Sequence, residues 1–507
     1  MSPDTFRLYD TESGSVCPLE PQEDGHLRFY ACGPTVYAYA HIGNFRSFLT
    51  ADLILRTARA LGWDVTYVSN VTDVGHLTED DLTDPQGEDK MEQALQEEGE
   101  RFANIYDLAR YYTDALIEEW HALNMREPDV RPRATEHMQH QIQAVERLVE
   151  SGHAYETEQG IYFSVESFEG YGQLSGRGQD PDELRGERDV VQDEEKRDPR
   201  DFALWKKDDS HLMQWHTPWG WGFPGWHIEC SVMAQAYLGD TLDLHAGGED
   251  LIFPHHECEI AQAESLTGEP FARHWTHTRF LQVEGEKMSK SEGNFYTVRD
   301  LIAPPEEGGR GVDPLALRLA LISGQYRKPY NFTFDTLRDS ARHVRRFREA
   351  DERAEAALAG LEDEGDLPGD DQLAVPLEDS YERALDAMCD DLNTPAALAA
   401  ALEGVKRINE QGDDLSPASA RNAQRWLDRI NALLGIVRPE HEDATRRDDG
   451  EKDAFDEKVN ALVQEREEAR EDGDYEKADT LRDQLRDMGV KVMDSDEGTT
   501  WRRMSDL

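Results

Sequence analysis

The stretch Leu27–Phe48, LRFYACGPTVYAYAHIGNFRSF, constrains the fold more than any other part of the chain. Leu27, Phe29 and Ala31 alternate as in a strand, and Cys32-Gly33-Pro34 ends that strand abruptly. His41-Ile42-Gly43-Asn44 then opens a helical pattern. Phe45, Phe48, Leu49, Leu53, Leu55, Ala58 and Leu61 recur at helical spacing, with Gly62 as C-cap. Trp63 to Val71 reads as a second strand. Strand, small-residue turn, helix and strand make a βαβ unit of a parallel, doubly wound sheet. Free N–H groups at such a helix start seat phosphates. Here the turn also carries Cys32 and His41, and Thr72 and Asp73 fall at the ligand-binding end of the second strand.

The remaining chain divides by pattern. Residues 1–26 read as a leading hairpin and 75–90 as an acidic loop. Helices are expected over 91–124 and 134–152, with a hairpin from Ala154 to Val165 around Gln159-Gly160. The charged segment 174–200 looks like an insertion splitting the sheet, whose second half returns at 223–300. From 335 to 437 the period is helical, as in a bundle, interrupted by the acidic linker 361–373. A second polar linker, 438–453, precedes a helix at 454–488 and a small β element near Trp501.

Charge excludes some functions. Of 507 residues, 106 are acidic and 54 basic, a formal net charge of −52. Self-repulsion on that scale at low ionic strength points to a halophilic protein adapted to strong salt. It also argues against a nucleic-acid partner, although in concentrated salt counterion release no longer drives binding. Five scattered cysteines, Cys17, Cys32, Cys230, Cys258 and Cys389, do not form a disulfide framework. MSPDTFRLYD lacks the apolar core of a signal peptide, and no run approaches a membrane span. A soluble cytoplasmic protein is expected.

Three motifs carry chemistry. HIGN at 41–44 is short, and a histidine at a helix start is often only a cap. KMSKS puts Lys287 and Lys290 on one loop between Gly285 and Gly293, suited to neutralising a triphosphate during reaction. Its bland reading is a solvated basic loop. Gly247 and Gly248 followed by Asp250 let a backbone approach a nucleotide while the acid takes ribose hydroxyls, though an ordinary turn fits as well. Separately, Cys32, Cys230, His255 and Glu259 are all accepted zinc ligands, and His255 and Glu259 share a helix face. Their spacing matches no zinc-finger pattern, a lone cysteine is more often a small buried hydrophobe, and Cys258 competes as a ligand.

Taken together, the chain resembles the class I aminoacyl-tRNA synthetases, within them the cysteinyl-tRNA synthetase family. The resemblance rests on CGPTVYAYAHIGN, SNVTDVGHLTEDD with GEDKM, PRATEH, KRDPRDFALWK, PGWHIECS, LHAGGEDLIFPHHECEIAQ, KMSKS, CDDLNTPAAL, and DTLRDQLRDMGV with GTTWRR. It implies a Rossmann-type catalytic domain in two halves (1–130 and 223–295) around a connective peptide (131–222). A stem-contact region (296–334), a helical bundle (335–440) and an anticodon-binding domain (441–507) would follow. It assigns one zinc to Cys32, Cys230, His255 and Glu259, the cysteine pocket to Thr72 and Trp226, and ATP with Mg²⁺ to His41, Asn44, Gly247, Gly248, Asp250 and Lys290. Asn44 stands where many class I members have histidine, and Cys258 stands where a non-thiol is expected. The implied partners are cysteine, ATP and tRNA(Cys), bound by a monomer with no membrane attachment.

The implied reaction needs no protein base. The cysteine carboxylate attacks the α-phosphorus of ATP, and His41, Asn44, Lys287 and Lys290 position and neutralise charge. Residues 441–507 hold 22 acidic and 12 basic side chains, so anticodon contact falls to the local spot at Trp501, Arg502 and Arg503. Trp501 as a plain chain-end anchor is the competing reading. Two rival functions stand beside this one: a ligase coupling cysteine to an amino sugar, which lacks an anticodon domain, and a non-catalytic RNA-binding paralogue, which needs neither motif.

Overall fold

The computed structural model describes residues 5–74, 89–177, 196–289, 293–359 and 371–441, with 459, 461–466, 469, 475–487, 490–495 and 498–503 beyond them. Lys290, most of the acidic loop at 75–90, much of the segment 174–200 and the start of the helix expected from 454 lie outside these residues.

A hairpin of β1 (Arg7–Asp10) and β2 (Ser15–Pro18) leads into β3 (His26–Ala31), α1 (Ile42–Ala60) and β4 (Asp64–Ser69). The expected βαβ unit is present, with β3 and β4 parallel in the register Leu27↔Val65 and Phe29↔Tyr67. The stretch read as one helix at 91–124 is two, α2 (Lys90–Glu98) and α3 (Ile105–Ala122). Gly99 breaks it with φ 61°, and the Asn104 side chain accepts the Asp107 N–H to start the second. The period was helical throughout, but a capping residue inside it marks a boundary that periodicity does not register.

After α4 (Met138–Glu150), an antiparallel sheet is inserted from β5 (Ala154–Glu156), β6 (Gly160–Phe163), β7 (Phe202–Lys207), β8 (Trp215–Thr217) and β9 (Gly220–Pro224), in the order β5-β6-β7-β9-β8. The chain then returns through α5 (Trp226–Leu238) to β10 (Leu244–Gly248), α6 (Glu257–Thr267) and β11 (Trp275–Thr278). The parallel sheet reads β11-β10-β3-β4. Strand order reverses between β3 and β10, which in open α/β sheets is where ligands bind, outside the carboxyl ends. Short β12 (Leu281–Val283) and β13 (Glu286–Lys287), α7 (Val298–Ile302), α8 (Pro314–Ile322) and β14 (Tyr330–Phe332) complete this part.

A helical region follows: α9 (Phe334–Leu358), α10 (Ala374–Cys389), α11 (Thr394–Gln411) and α12 (Pro417–Leu434). Beyond it, α13 (Tyr475–Asp487) leads into a hairpin of β15 (Val490–Ser495) and β16 (Gly498–Arg503). Among the described residues, no helix is long and apolar enough to cross a membrane.

α1 is buried nearly all round, polar residues included. Asp52 and Arg56 are completely enclosed, so their charges must be met inside. Asp52 accepts from Arg56 Nε at 2.8 Å, from Arg318 of α8, and from the Arg126 N–H at 2.9 Å. The two guanidiniums also donate to the carbonyls of Asn124, Asn431 and Leu434. Replacing Asp52 by alanine strips buried Arg318 of its anion and leaves buried Arg56 with only the partly exposed Glu440. The expected loss is about 3–5 kcal/mol, read from denaturant unfolding.

Glu119 of α3 is buried facing α7. Burial pushes its carboxyl up to about 8, with Arg299 pulling back only in part. A carboxyl raised in the fold contributes stability fully present below the unfolded value near 4.5 and lost as pH rises through 8. Glu119→Gln should therefore unfold at a higher temperature than the parent at pH 8–9 and show no such gain at pH 4.5. Thermal unfolding at the two pH values checks this.

Candidate active site

The carboxyl ends of β3, β4 and β10 share one edge of the parallel sheet, and the loop after β3 is zipped to the loop after β4. Gly33 N–H donates to Asn70 Oδ1 at 2.8 Å, Thr72 N–H to the Pro34 carbonyl at 3.1 Å, and Val36 N–H to the Thr72 carbonyl at 3.1 Å. A Cβ on Gly33 would lie 1.7 Å from the Asn70 carbonyl oxygen, so only glycine permits this approach.

Cys32 ends β3, Cys230 lies inside α5, His255 sits in the irregular turn before α6, and Glu259 is in its first turn. These four buried side chains offer donor atoms that all lie within 4.8 Å of one another. Cys32 Sγ is 3.9 Å from Cys230 Sγ and 3.6 Å from Glu259 Oε1, and His255 Nε2 is 2.8 Å from the same oxygen. The Cys32 thiol, donating to Cys230, lowers the Cys230 thiol to about 6, while burial pushes Cys32 itself well up. Burial opposes charge on Glu259 and His255, but their mutual attraction outweighs it. Glu259, held also by His245, falls well below the usual range, and His255 rises to about 10. Anionic donors around one buried imidazolium form the charge pattern that a divalent cation replaces, with release of protons.

An outer ring supports these donors. His227 Nδ1 meets His255 Nδ1 at 2.9 Å, which leaves His255 Nε2 for the cluster. His245 Nε2 holds Glu259 Oε2 at 2.9 Å, and His256 Nε2 is 3.4 Å from Cys32 Sγ. His256 continues through His277 to the Thr11 hydroxyl. Cys32, His245, His256 and Glu259 also come within ligand distance of one another. That set has one thiol where the first has two. Cys258 belongs to neither set. Its Sγ faces the Tyr171 hydroxyl at 3.7 Å, within the core of the inserted sheet.

His41 caps α1. Its Nδ1 accepts the Asn44 N–H at 3.0 Å, so a neutral ring carries its proton on Nε2, and burial keeps it neutral by lowering its pKa. Asn44 Oδ1 accepts the His41 N–H at 3.1 Å, which leaves Nδ2 as a donor. The chain leaving KMSKS returns over this turn: Ile42 N–H donates to the Tyr296 carbonyl at 3.0 Å, and the Phe295 ring stands edge-on to His41. Asn294 closes the loop base, accepting the Ser289 N–H and donating to the Lys287 carbonyl. Lys287 and Asp250 are exposed. Gly247 and Gly248 end β10, and a Cβ on Gly248 would lie 2.3 Å from Asp250 Oδ1. Thr72 is buried, and the half-buried Trp226 ring lies 4.4 Å from the His255 ring.

Comparison with known proteins now decides the family. The class I (C) tRNA synthetase catalytic domain matches residues 18–342, the DALR domain 385–438 and the cysteinyl-tRNA ligase anticodon binding domain 452–502. The cysteine–tRNA ligase of Salinibacter ruber is 63% identical, over 98% of both chains. That of Chlorobaculum tepidum is 39% identical, over 98% of this chain and 99% of its own. The chain belongs to the cysteine–tRNA ligase family. A methionyl-tRNA synthetase of Mycobacterium tuberculosis, solved with methionyl-adenylate, shares the fold at TM-score 0.57 and 16% identity, covering 82% of this chain and 92% of that one.

Within this cysteine–tRNA ligase family member, the fold gathers Cys32, Cys230, His255 and Glu259, sets the Trp226 ring against His255, and hydrogen-bonds Thr72 to Glu229, the residue before Cys230. Trp501 lies in β16 opposite Val492, far along the chain from these residues. Sequence reasoning missed Asn70, His227, Glu229, His245, His256 and His277. The histidines beside quoted motifs, in GWHIEC, LHAGG and FPHHE, were the available signal. Cys230→Ser is expected to purify without stoichiometric metal, whereas Cys258→Ser is expected to retain it. Metal analysis of the two variants decides.

Proposed function

We propose that the chain activates cysteine with ATP and transfers it to tRNA(Cys), with one zinc at Cys32, Cys230, His255 and Glu259. The reading rests on one observation: the loop that leaves β3 carries Cys32, a member of a buried two-thiol donor cluster, at its start and the His41–Asn44 cap of α1 at its end, beside the sheet's switch point. In the first step the cysteine carboxylate oxygen bonds to the α-phosphorus, and the bond to the bridging oxygen breaks to release pyrophosphate. His41 Nε2–H, Asn44 Nδ2 and the lysines Lys287 and Lys290 neutralise the phosphates, and Gly247, Gly248 and Asp250 hold the nucleoside. Mg²⁺ accompanies ATP as part of the substrate. A terminal ribose hydroxyl of the tRNA then attacks the acyl carbon and AMP departs.

Zinc, when bound, supplies a soft Lewis acid that lowers a substrate thiol from about 8.5 and favours it over a serine hydroxyl. Thr72 and Trp226 enclose the amino acid beside it. The division into a catalytic domain split by a connective peptide, a stem-contact region, a bundle and an anticodon domain is part of this proposal, as is Trp501 stacking on an unpaired base. So are a monomer and a cytoplasmic setting. The charge of −52 supports adaptation to strong salt. A tail matched by an anticodon binding domain favours tRNA over an amino sugar as acceptor.

Cysteine-dependent ATP–pyrophosphate exchange in concentrated salt, followed by charging of tRNA(Cys), tests the proposal. Exchange should vanish with a chelator, and serine should be disfavoured by ~10⁴ or more. Comparable exchange with serine would sink the selectivity argument, and exchange without charging would point to the amino-sugar ligase.

A further inference from the structure

Behind Thr72 runs a chain of buried polar atoms that the mechanism above does not use. The Gly33 N–H donates to Asn70 Oδ1 at 2.8 Å. A backbone N–H can only donate, so it settles which end of the Asn70 amide faces it, and Nδ2 must turn the other way. Nδ2 lies 3.2 Å from Thr72 Oγ1, which accepts. The Thr72 hydroxyl donates its single hydrogen to Glu229 Oε2, 2.8 Å away. Burial pushes the Glu229 carboxyl well up, and a neutral carboxyl accepts through its carbonyl oxygen as a carboxylate does. Asn70, Thr72 and Glu229 are 0%, 1% and 0% exposed, and Glu229 Oε1 has no hydrogen-bond partner among the described residues. A buried carboxyl left half satisfied is costly, so its presence calls for a function.

A hydroxyl has one hydrogen and two lone pairs. With the hydrogen committed to Glu229 and one lone pair to Asn70, Thr72 has one lone pair left. We propose that Glu229 is a specificity-determining positioning residue: by taking the Thr72 hydrogen, it makes Thr72 an obligate acceptor toward the pocket. An obligate acceptor recognises a donor, and apart from its thiol the donor cysteine carries is its α-ammonium. Glu229 touches no substrate atom; it acts through Thr72. The same chain ties the strand end bearing Cys32 to the helix bearing Cys230, so the hydroxyl is held in register with both thiols. This rests on the reading of this region as a cysteine site.

Glu229→Leu keeps much of the volume and removes the acceptor, so Thr72 can turn its hydrogen into the pocket. The expected result is a KM for cysteine raised about 10- to 100-fold with kcat within about threefold, at parental metal content. Glu229→Gln, which keeps an accepting oxygen, should recover most of the loss. Thr72→Val should weaken cysteine to a similar degree, and the double variant Thr72→Val/Glu229→Leu no further.

A second readout separates this from general damage. Equilibrium binding to the zinc-loaded chain is compared for cysteine and for 3-mercaptopropionate, which keeps thiol and carboxylate but lacks the ammonium. Glu229→Leu should weaken cysteine alone. An unchanged KM, additive single effects, or equal weakening of both ligands would overturn the proposal. If Glu229→Leu does not fold, Thr72→Val must lose the preference for cysteine over 3-mercaptopropionate and Thr72→Ser must keep it; a valine variant that keeps it overturns the proposal. A parent chain without cysteine-dependent exchange would overturn the proposed function instead, and the binding comparison would still decide the polarity of Thr72.

Discussion

Asp52 is the anion around which the fold closes. It lies mid-way along α1, completely buried, with one guanidinium from its own helix and one from α8. Burial alone would raise its carboxyl, but Arg56 and Arg318 outweigh burial and lower it. The geometry is demanding because each guanidinium has more hydrogens than Asp52 can accept. The surplus goes to carbonyls at the ends of α3 and α12 and, from Arg56, to the Glu440 carboxyl. Asn124 completes the joint: with φ 53° it exposes its carbonyl to Arg56 while its amide holds the carbonyls of Gly435 and Arg438. Three chain segments, distant in sequence, must therefore be in place before these charges are satisfied. The helix so fixed begins with HIGN, so the His41–Asn44 turn inherits its position from a buried ion cluster at mid-helix.

At the donor cluster, charge is concentrated rather than balanced against a distant core. Two thiols, a carboxylate and an imidazole share a small buried volume, and each shifts the others. Lowering Cys230 to about 6 provides a thiolate at neutral pH, which is the form a metal binds. The outer histidines fix which atom of each ligand points inward, so part of the orientation is settled before any metal arrives. That support comes from α5, β10 and β11 together, and explains why ligands scattered over more than two hundred residues converge.

Legibility followed the range of the interaction. The βαβ unit could be read because β3, its stop at Cys32-Gly33-Pro34 and the periodicity of α1 are local. The four metal donors could be listed from residue type, yet their grouping depended on parallel pairing of β3 with β10, which no local pattern reports. Glu229 was invisible for a related reason. In a helix whose apolar residues face several ways, a carboxyl three residues from the start reads as ordinary N-terminal charge. Only its burial against Thr72 marks it out. The break at Gly99 was in the sequence and was overridden by the stronger helical period around it.

Cys258 shows how one helical turn serves two masters. Successive residues on a helix point about 100° apart. Glu257, Cys258 and Glu259 therefore face three directions from the first turn of α6. Glu259 turns into the donor cluster. Glu257 accepts the N–H groups of Gly172 and Ser175 and the Ser175 hydroxyl, and Cys258 packs against Tyr171. Both belong to the tie between α6 and the insertion, so α6 cannot rotate without unseating that segment. Turned by one residue, α6 would present the Cys258 thiol in place of the Glu259 carboxylate. Anchored on both flanks, it presents a carboxylate to the site and keeps the thiol in an apolar core, where burial holds it protonated. The insertion thus fixes the rotation of α6 and, with it, the direction in which Glu259 points.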